Sequence, residues 1–267
     1  MTKNVGFIGT GNMGAAIIKG MAGDDNLNVL GFDLNKTALG LLAEETGLTK
    51  MDTARDLAKE SDYIVLCVKP QHAATVLEEI APELDESKCI VSIAAGLTVS
   101  SLKDSSENRC PIVRVMPNTP ALVNAGVFAV CLDDTHISEE QNSFAREMFK
   151  PLGDVYILAE SQFDTFTGVI GSGPAYVFYF MEAMIESAVS LGLPREPATK
   201  MVEKLFEGST KLAQESDFHV SELREMVTSP GGTTVQALVH LDRTATRANI
   251  IDAVRESYER SVELGQK

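Results

Sequence analysis

Residues 5–21 read VGFIGTGNMGAAIIKGM, a short apolar run followed by a glycine-rich turn and a helix-like segment. The first four residues predict a buried strand, and the apolar spacing over 12–21 predicts a helix. Gly9 permits the tight turn between them, Gly11 permits close approach of a diphosphate, and Gly14 permits close packing of the helix on the strand. The stretch therefore predicts a strand, a turn and a helix whose N-terminus faces an anion.

A GxGxxG turn alone is a weak signal, because a glycine-rich turn can be purely structural. Here the strand, the helix and an acidic residue at the end of the second apolar run, Asp33, all agree, so the pattern favours dinucleotide binding. The Asp33 carboxylate would hydrogen-bond the ribose hydroxyls of NAD and repel a 2′-phosphate. Asn35 and Lys36 follow it, and an inward Lys36 could neutralise such a phosphate. The carboxylate therefore favours NADH, while NADPH stays open as the cofactor.

The first 160 residues alternate short apolar runs with helix-like segments, which is typical of βαβ units and a parallel sheet. The runs are apolar throughout, as expected for strands that are covered on both faces. The predicted strands cover residues 5–8, 29–32, 63–68, 89–93, 112–115, 127–131 and 155–158. The expected fold of residues 1–160 is α/β, a Rossmann-type, doubly wound and mainly parallel sheet.

The strand pattern stops after residue 160, and helical spacing replaces it. The predicted helices cover residues 175–191, 196–214, 220–227, 235–241 and 245–264. We therefore expect residues 161–267 to form a second domain that is all-helical.

The composition limits the partners of the chain. It has 267 residues, of which 44% are hydrophobic, and a formal net charge of −15 at pH 7. Nucleic acids and anionic membranes attract clustered positive charge, so neither is an expected partner of so acidic a chain. Small anionic ligands would then need sites that are built locally from backbone N–H groups.

Other sequence patterns point to a cytoplasmic protein without a metal. Each of the four cysteines lies in or beside a short apolar run, and no CxxC pair or histidine stands at ligand spacing, so we expect reduced thiols and no metal site. The N-terminus enters a strand-like run at once, which predicts the absence of a signal peptide. The most apolar long stretch, residues 175–191, is too short to span a bilayer.

Three further loops follow predicted strands: VKP at 68–70, AAG at 94–96 and MPNTP at 116–120. Loops at the carboxyl edge of a parallel sheet line the ligand crevice, although each of these loops could instead be a structural turn or a helix start. Together with the glycine-rich turn and the residues around Asp33, they provide the candidate cofactor-binding residues. These are Ile8, Gly9, Thr10, Gly11, Asn12, Met13, Gly14, Asp33, Asn35, Lys36, Val68, Lys69, Pro70, Ala94, Ala95, Gly96 and Asn118.

A second loop with the features of an anion site lies near the C-terminus. Residues 229–234 read SPGGTT and lead into the helical pattern of residues 235–241. Pro230 fixes φ, Gly231 and Gly232 let a ligand approach the backbone, and the threonines offer hydroxyls beside free N–H groups. If the two anion loops bind different ligands, the chain is an enzyme with two substrates.

The motifs VKP, MPNTPA, GSGP at 171–174 and SPGGTT, in this order, closely resemble those of the pyrroline-5-carboxylate reductase family. With the GxGxxG turn, the resemblance covers nearly the whole chain. It implies an N-terminal Rossmann domain, a helical dimerisation domain, and a homo-oligomer that is a dimer or a ring of dimers. The implied activity is the reduction of 1-pyrroline-5-carboxylate to L-proline by NADH or NADPH, the last step of proline biosynthesis.

The resemblance also implies the residues that would act on the substrate. The SPGGTT loop would hold the substrate carboxylate on the N–H groups of Thr233 and Thr234, and the Thr234 hydroxyl would be the catalytic group near the ring nitrogen. Glu160 matches an acidic position on the substrate side, although a charge near a helix start explains it almost as well. The implied substrate-binding residues are Glu160, Gly231, Gly232, Thr233 and Thr234.

Two other functions compete with this one. Dehydrogenases of the 3-hydroxy acid or 6-phosphogluconate type also join a Rossmann domain to a helical one, but such families place a catalytic lysine on the helix after a glycine-rich motif. Here GSGPAYVFYFMEAM is followed by no lysine before Lys200. A dinucleotide-binding regulatory protein would keep GTGNMG and Asp33, but it would have no need of a second anion loop.

Overall fold

The computed structural model describes residues 2–265 and divides by its contacts into two units. The first unit comprises Met1–Ser172 together with Ser257–Lys267, and the second comprises Gly173–Glu256. This division differs from the domain boundary expected at residue 160, because Phe163 and Phe166 are buried in the core of the first unit. The expected boundary at residue 160 stays a prediction.

One eight-stranded sheet forms the centre of the first unit. Its strands are β1 Lys3–Ile8, β2 Leu27–Phe32, β3 Thr49–Lys50, β4 Tyr63–Leu66, β5 Cys89–Ser92, β6 Ile112–Met116, β7 Gly126–Cys131 and β8 Gly153–Ile157. The strand order is β3-β2-β1-β4-β5-β6-β7-β8. All neighbouring pairs are parallel except β6 and β7, so the expectation of a mainly parallel, doubly wound sheet is confirmed.

Helices cover both faces of this sheet. They are α1 Asn12–Met21, α2 Lys36–Thr46, α3 Ala54–Glu60, α4 Pro70–Ile80, α5 Val99–Ser105, α6 Glu139–Glu147 and α7 Phe163–Phe166. Side chains of one strand alternate between two cores: Phe7 packs with Ile17 on one face, and the next residue, Ile8, packs with Leu77 on the other. Burial on both faces explains why the strands read as mainly apolar runs.

The second unit is helical, as expected. Its helices are α8 Gly173–Ser190, α9 Arg195–Glu215, α10 Val220–Met226, α11 Thr233–Arg243 and the first part of α12 Thr246–Gly265. Few side chains of this unit are buried within the single chain; Ala198 and Val202 of α9 are two that are. By contrast, Phe178 and Tyr179 of α8 are exposed, together with many other large apolar residues of these helices.

The structure corrects several details of the predicted strands. The two-residue strand β3 carries too little apolar pattern to be recognised in the sequence, and it was not predicted. The fourth strand ends at Leu66 instead of residue 68, because the chain turns there toward the helix that starts at Pro70. The fifth strand likewise ends at Ser92 and not at residue 93.

Candidate active site

The glycine-rich turn after β1 is packed tightly at two glycines and open at the third. Gly9 has φ +95°, and a Cβ there would lie 2.8 Å from the carbonyl oxygen of Cys67. A Cβ on Gly14 would lie 2.5 Å from the Gly9 oxygen, whereas a Cβ on Gly11 would meet nothing within 4 Å. The turn therefore leaves free space beside Gly11, and this is the space that a dinucleotide diphosphate requires.

The helix that follows the turn is open at its N-terminus. Gly11 is the residue before the first turn of α1 and provides no side-chain hydrogen bond to it. The first N–H groups of a helix have no partner within the helix and attract anions. Asn12 is the first residue of α1 and is exposed, while Met13 is half-buried against the core. These observations fit a bound diphosphate, as the sequence predicts.

The side chain of Ile8, the last residue of β1, is buried, so it offers only its backbone to a ligand. Thr10, two residues later, is also buried and connects the turn to the end of β2. Its backbone N–H and its hydroxyl donate to Oδ2 of Asp33, at 2.6 Å and 3.2 Å. The predicted acidic residue thus lies beside the glycine-rich turn.

The residues after Asp33 form the start of α2. The Asn35 N–H donates to Oδ1 of Asp33 at 2.8 Å, and Oδ1 of Asn35 accepts from the N–H of Ala38 at 3.1 Å. The ammonium of Lys36 lies 4.4 Å from the centroid of the Phe32 ring and donates to the carbonyl oxygen of Asp52 at 3.3 Å. Asn35 therefore caps the helix, and Lys36 is engaged with neighbours other than Asp33.

The other predicted cofactor residues follow parallel strands that are neighbours of β1. Val68 is half-buried, whereas Lys69 and Pro70 are exposed at the start of α4. The strands β2, β1, β4, β5 and β6 are parallel and adjacent, so the segments that follow them meet at one edge of the sheet. In a sheet of this type, ligands bind at that edge, where the strand order reverses between β1 and β4.

The AAG loop after β5 packs against the last turn of α12. The Ala94 N–H donates to the hydroxyl of Ser92 at 3.3 Å, and Ala95 is exposed. Gly96 has φ +78°, and a Cβ there would lie 3.2 Å from Cβ of Leu264 in the last turn of α12. Glycine is thus required at residue 96 by its conformation and by this helix end. No sequence signal relates Leu264 to this loop.

Asn118 in the MPNTP loop is buried, and its side chain bonds to the protein itself. Its Oδ1 accepts from the Val127 N–H at 2.9 Å, and its Nδ2 donates to the carbonyl oxygen of Ile170 at 3.4 Å. Asn118 therefore ties its loop to β7 and to the π-helical segment Thr167–Gly171. Its prediction as a cofactor contact stays a prediction, and these bonds give it a positioning role.

Glu160 forms an ion pair with a buried arginine, Arg114, which was not predicted from the sequence. Its Oε1 lies 2.9 Å from Nη1 of Arg114 and accepts from the Val99 N–H at 2.7 Å. The guanidinium of Arg114 also lies over the ring of Phe163, 4.7 Å from its centroid. Arginine inside the apolar strand IVRVM was the available signal of a buried pair. The predicted contact of Glu160 with substrate stays a prediction.

The SPGGTT loop lies in the second unit, at the N-terminus of α11. Gly231 has φ +70°, a conformation that favours glycine, and Gly232 directly precedes the helix without a side-chain cap. A Cβ on Gly231 would meet nothing within 4 Å. Thr233 and Thr234 form the start of the helix, with Thr233 exposed and Thr234 half-buried. The loop thus has the open, uncapped helix start that the sequence predicts for an anion site.

Three of the four cysteines are buried, and Cys67 is half-buried. All four cysteines are free, and burial raises the pKa of the Cys110 and Cys131 thiols to about 12. Within residues 2–265, no cluster of three His, Cys, Asp or Glu side chains has the arrangement that a metal ion needs. No helix in that part of the chain has the length and apolar character of a bilayer-spanning segment.

Comparison with known proteins finds matches to family models and to relatives that cover the whole chain. A family model described as pyrroline-5-carboxylate reductase dimerisation matches residues 160–264, and one described as NADP oxidoreductase, coenzyme F420-dependent, matches residues 4–96. The pyrroline-5-carboxylate reductase of Escherichia coli K12 is 36% identical over 269 residues, and the match covers 100% of both chains. The chain belongs to the pyrroline-5-carboxylate reductase family.

Solved structures of pyrroline-5-carboxylate reductases share this fold. The Plasmodium falciparum enzyme, with NADP bound, has a TM-score of 0.89 at 32% identity and covers 98% of each chain. The Coxiella burnetii enzyme has a TM-score of 0.89 at 34% identity and covers 100% of each chain. The likeness therefore includes both the Rossmann-type unit and the helical unit, which confirms the fold expected from the motifs.

Proposed function

We propose that the chain reduces L-1-pyrroline-5-carboxylate to L-proline, with NADH or NADPH as the hydride donor. The observation that supports this best is the 36% sequence identity to a pyrroline-5-carboxylate reductase over the full length of both chains. A second helix start without a cap, at Gly232, adds to this support. One anion site suits a dinucleotide, and the other suits a substrate that carries a carboxylate. The reductase needs both.

The reaction asks little of the side chains. Bound NAD(P)H supplies a hydride, which adds to the carbon of the C=N bond, while the ring nitrogen gains a proton. A protonated cyclic imine is already electrophilic, so the main task of the protein is to orient the ring and exclude other reactions. Water or the substrate itself brings the proton, because no general acid stands out among the candidate residues.

Each loop has a defined task in this proposal. The turn from Gly9 to Gly14 holds the diphosphate, and the N–H groups of Thr233 and Thr234 hold the substrate carboxylate. The Thr234 hydroxyl orients the imine by a hydrogen bond with the ring nitrogen. Glu160 and Asn118 act by positioning the segments to which they bond.

We also propose a homo-oligomer, a dimer or a ring of dimers, that resides in the cytoplasm. The match to a dimerisation model over residues 160–264 supports the oligomer, as does the exposure of Phe178 and Leu205, 62% and 50%, in a single chain. Monomers rarely expose so many large apolar residues on adjacent helices. Four free thiols support a reducing compartment.

The test of the activity is turnover by the purified protein. We expect 1-pyrroline-5-carboxylate to cause loss of reduced nicotinamide absorbance, and we expect chromatography to detect one proline for each dinucleotide oxidised. A 3-hydroxy acid with the oxidised dinucleotide tests the competing dehydrogenase. Turnover with neither substrate pair would contradict both enzyme functions and leave the dinucleotide-binding regulatory protein.

The position of Lys200 also argues against the competing dehydrogenase function. This first lysine after GSGP lies on α9, and its ammonium pairs with Glu196 at 2.8 Å on the exposed surface. A lysine that transfers protons in such a reaction would need to face a substrate site.

The role of Thr234 is tested by Thr234→Ala at saturating dinucleotide. Because one hydrogen bond to the imine is lost, we expect kcat/KM for the imine to fall by about 10- to 100-fold. Thr244→Ala is the matched control, since Thr244 directly follows α11 and its hydroxyl donates to the His240 carbonyl oxygen at 3.0 Å. An unchanged kcat/KM in Thr234→Ala would remove Thr234 from the mechanism.

A further inference from the structure

The Asp33 carboxylate is fixed in place at the end of β2. Its Oδ2 accepts from the N–H and the hydroxyl of Thr10, and its Oδ1 accepts from the Asn35 N–H at 2.8 Å. Three bonds from two segments hold the group between the glycine-rich turn and the start of α2. A carboxylate has about four acceptor positions, so it can still accept a bond from a ligand hydroxyl.

No positive side chain forms an ion pair with this carboxylate within residues 2–265. Lys36 is the cation nearest to it in the sequence. The Lys36 ammonium is instead held over the Phe32 ring and by the Asp52 carbonyl oxygen. The alternative that the sequence left open, an inward lysine that neutralises a 2′-phosphate, is therefore not the arrangement found.

A second feature of the same place is an uncovered apolar side chain. Leu34 directly follows Asp33, and 88% of its surface is exposed. A leucine so exposed beside a ribose-binding acid provides an apolar surface for the adenosine part of a dinucleotide, which would remove it from water. The adenosine base is common to NADH and NADPH, so Leu34 contributes affinity without discrimination.

We propose that this chain selects NADH over NADPH, and that Asp33 is the residue that determines the choice. The 2′-hydroxyl of NADH can donate to the fixed carboxylate, whereas the 2′-phosphate of NADPH brings negative charge against it. The proposal rests on the proposed function, because it names the cofactor of that same site. The NADP bound to the Plasmodium falciparum relative belongs to that protein, so the preference is a property of these residues and not of the family.

Binding of the two dinucleotides without substrate tests this preference. Isothermal titration of the wild-type protein with NADH and with NADPH should give a Kd for NADH that is at least about tenfold lower. Asp33→Ser places a hydroxyl at the site and removes the charge, and we expect it to bring the two Kd values within about threefold of each other, mainly by tightening the binding of NADPH.

Two further variants separate charge from apolar contact. Leu34→Ala should raise the Kd values of NADH and NADPH by the same factor and so leave the ratio of the two Kd values unchanged. Lys36→Ala should also leave the ratio unchanged, since the lysine is held away from Asp33. A large loss of NADPH affinity in Lys36→Ala would show that this lysine meets the phosphate and would overturn the proposal.

The outcomes distinguish this inference from the proposed function. If NADH binds selectively but 1-pyrroline-5-carboxylate is not reduced, the function fails and the selectivity stands. If the imine is reduced and NADPH binds as tightly as NADH or more tightly, the function stands and the selectivity is wrong. Failure of both dinucleotides to bind would also overturn the selectivity.

Discussion

The substitution Gly11→Ala tests whether the free space in the glycine-rich turn is the diphosphate site. An added Cβ at Gly11 meets nothing within 4 Å, and the φ of −65° and ψ of −169° there suit alanine. Alanine is less favourable than glycine before the first turn of a helix, which lowers stability. Alanine also lowers the conformational entropy of the unfolded chain, which raises stability. Because the two effects oppose each other, the free energy of unfolding should change by less than about 1 kcal/mol. The melting temperature should then move by no more than about 4 °C.

Binding should respond very differently from stability. The new methyl group occupies the space beside the first N–H groups of α1, where the diphosphate would lie. A hydrogen bond to a charged group contributes about 1.5–3 kcal/mol, so the loss of one such bond weakens NADH by roughly 10- to 150-fold. Isothermal titration measures this loss, and a thermal melt without ligand measures the fold.

Gly14→Ala is the matched control in the same turn. Its Cβ would lie 2.5 Å from the Gly9 carbonyl oxygen, which is backbone and cannot move aside cheaply. We expect a loss of roughly 1–3 kcal/mol in unfolding free energy along with weaker binding. Wild-type affinity for NADH in Gly11→Ala would refute the assignment of the space. A fall in stability as large as that of Gly14→Ala would refute the claim that the space is open.

Two more predictions concern charges outside the cofactor turn. Glu160→Gln leaves the buried Arg114 without its charge partner and should lower the midpoint of urea unfolding. The double variant Arg114→Leu with Glu160→Gln should recover part of the lost stability. We expect a coupling energy of about 1–3 kcal/mol between the two residues, and additive effects of the two substitutions would mean that the pair does not contribute to stability. For Asp134, burial raises the pKa but the bonds from His136, Lys103 and Ile112 outweigh it and lower the pKa. Its contribution to stability is therefore present at neutral pH and is lost as pH falls through the lowered pKa, so Asp134→Asn should show a shallower acid dependence of its melting temperature.

The sequence predicted the parts of the fold that depend on local pattern. The strands were recognisable because their side chains are buried on both sheet faces, Val65 on one face and Ile64 on the other, so that their sequences are mainly apolar. The helices of the second unit were recognisable because their apolar spacing is long and regular. Both signals come from residues that are close to one another in the chain.

The remaining details depend on residues that are far apart in the chain. The antiparallel pairing of β6 and β7 follows from the short connection through Thr119–Val123, which leaves no room for a crossover helix. Glu160 pairs with Arg114, and Gly96 lies against Leu264. Both partners come from other elements, and the sequence near Glu160 or Gly96 does not predict them. The candidate site was therefore predictable as a set of loops, but not in the bonds that hold those loops.

The last helix, α12, has a consequence for how the gene could be divided. Its first part belongs to the helical unit, whereas the residues from Ser257 onward belong to the sheet unit, where Ser261 is buried and donates to Asp164 at 2.6 Å. The helical unit is thus an insertion in a nucleotide-binding domain whose final segment is encoded after it. A chimera that exchanged everything downstream of residue 172 would replace part of the domain it meant to keep. Recombination between relatives should succeed more often when its second crossover lies near residue 257.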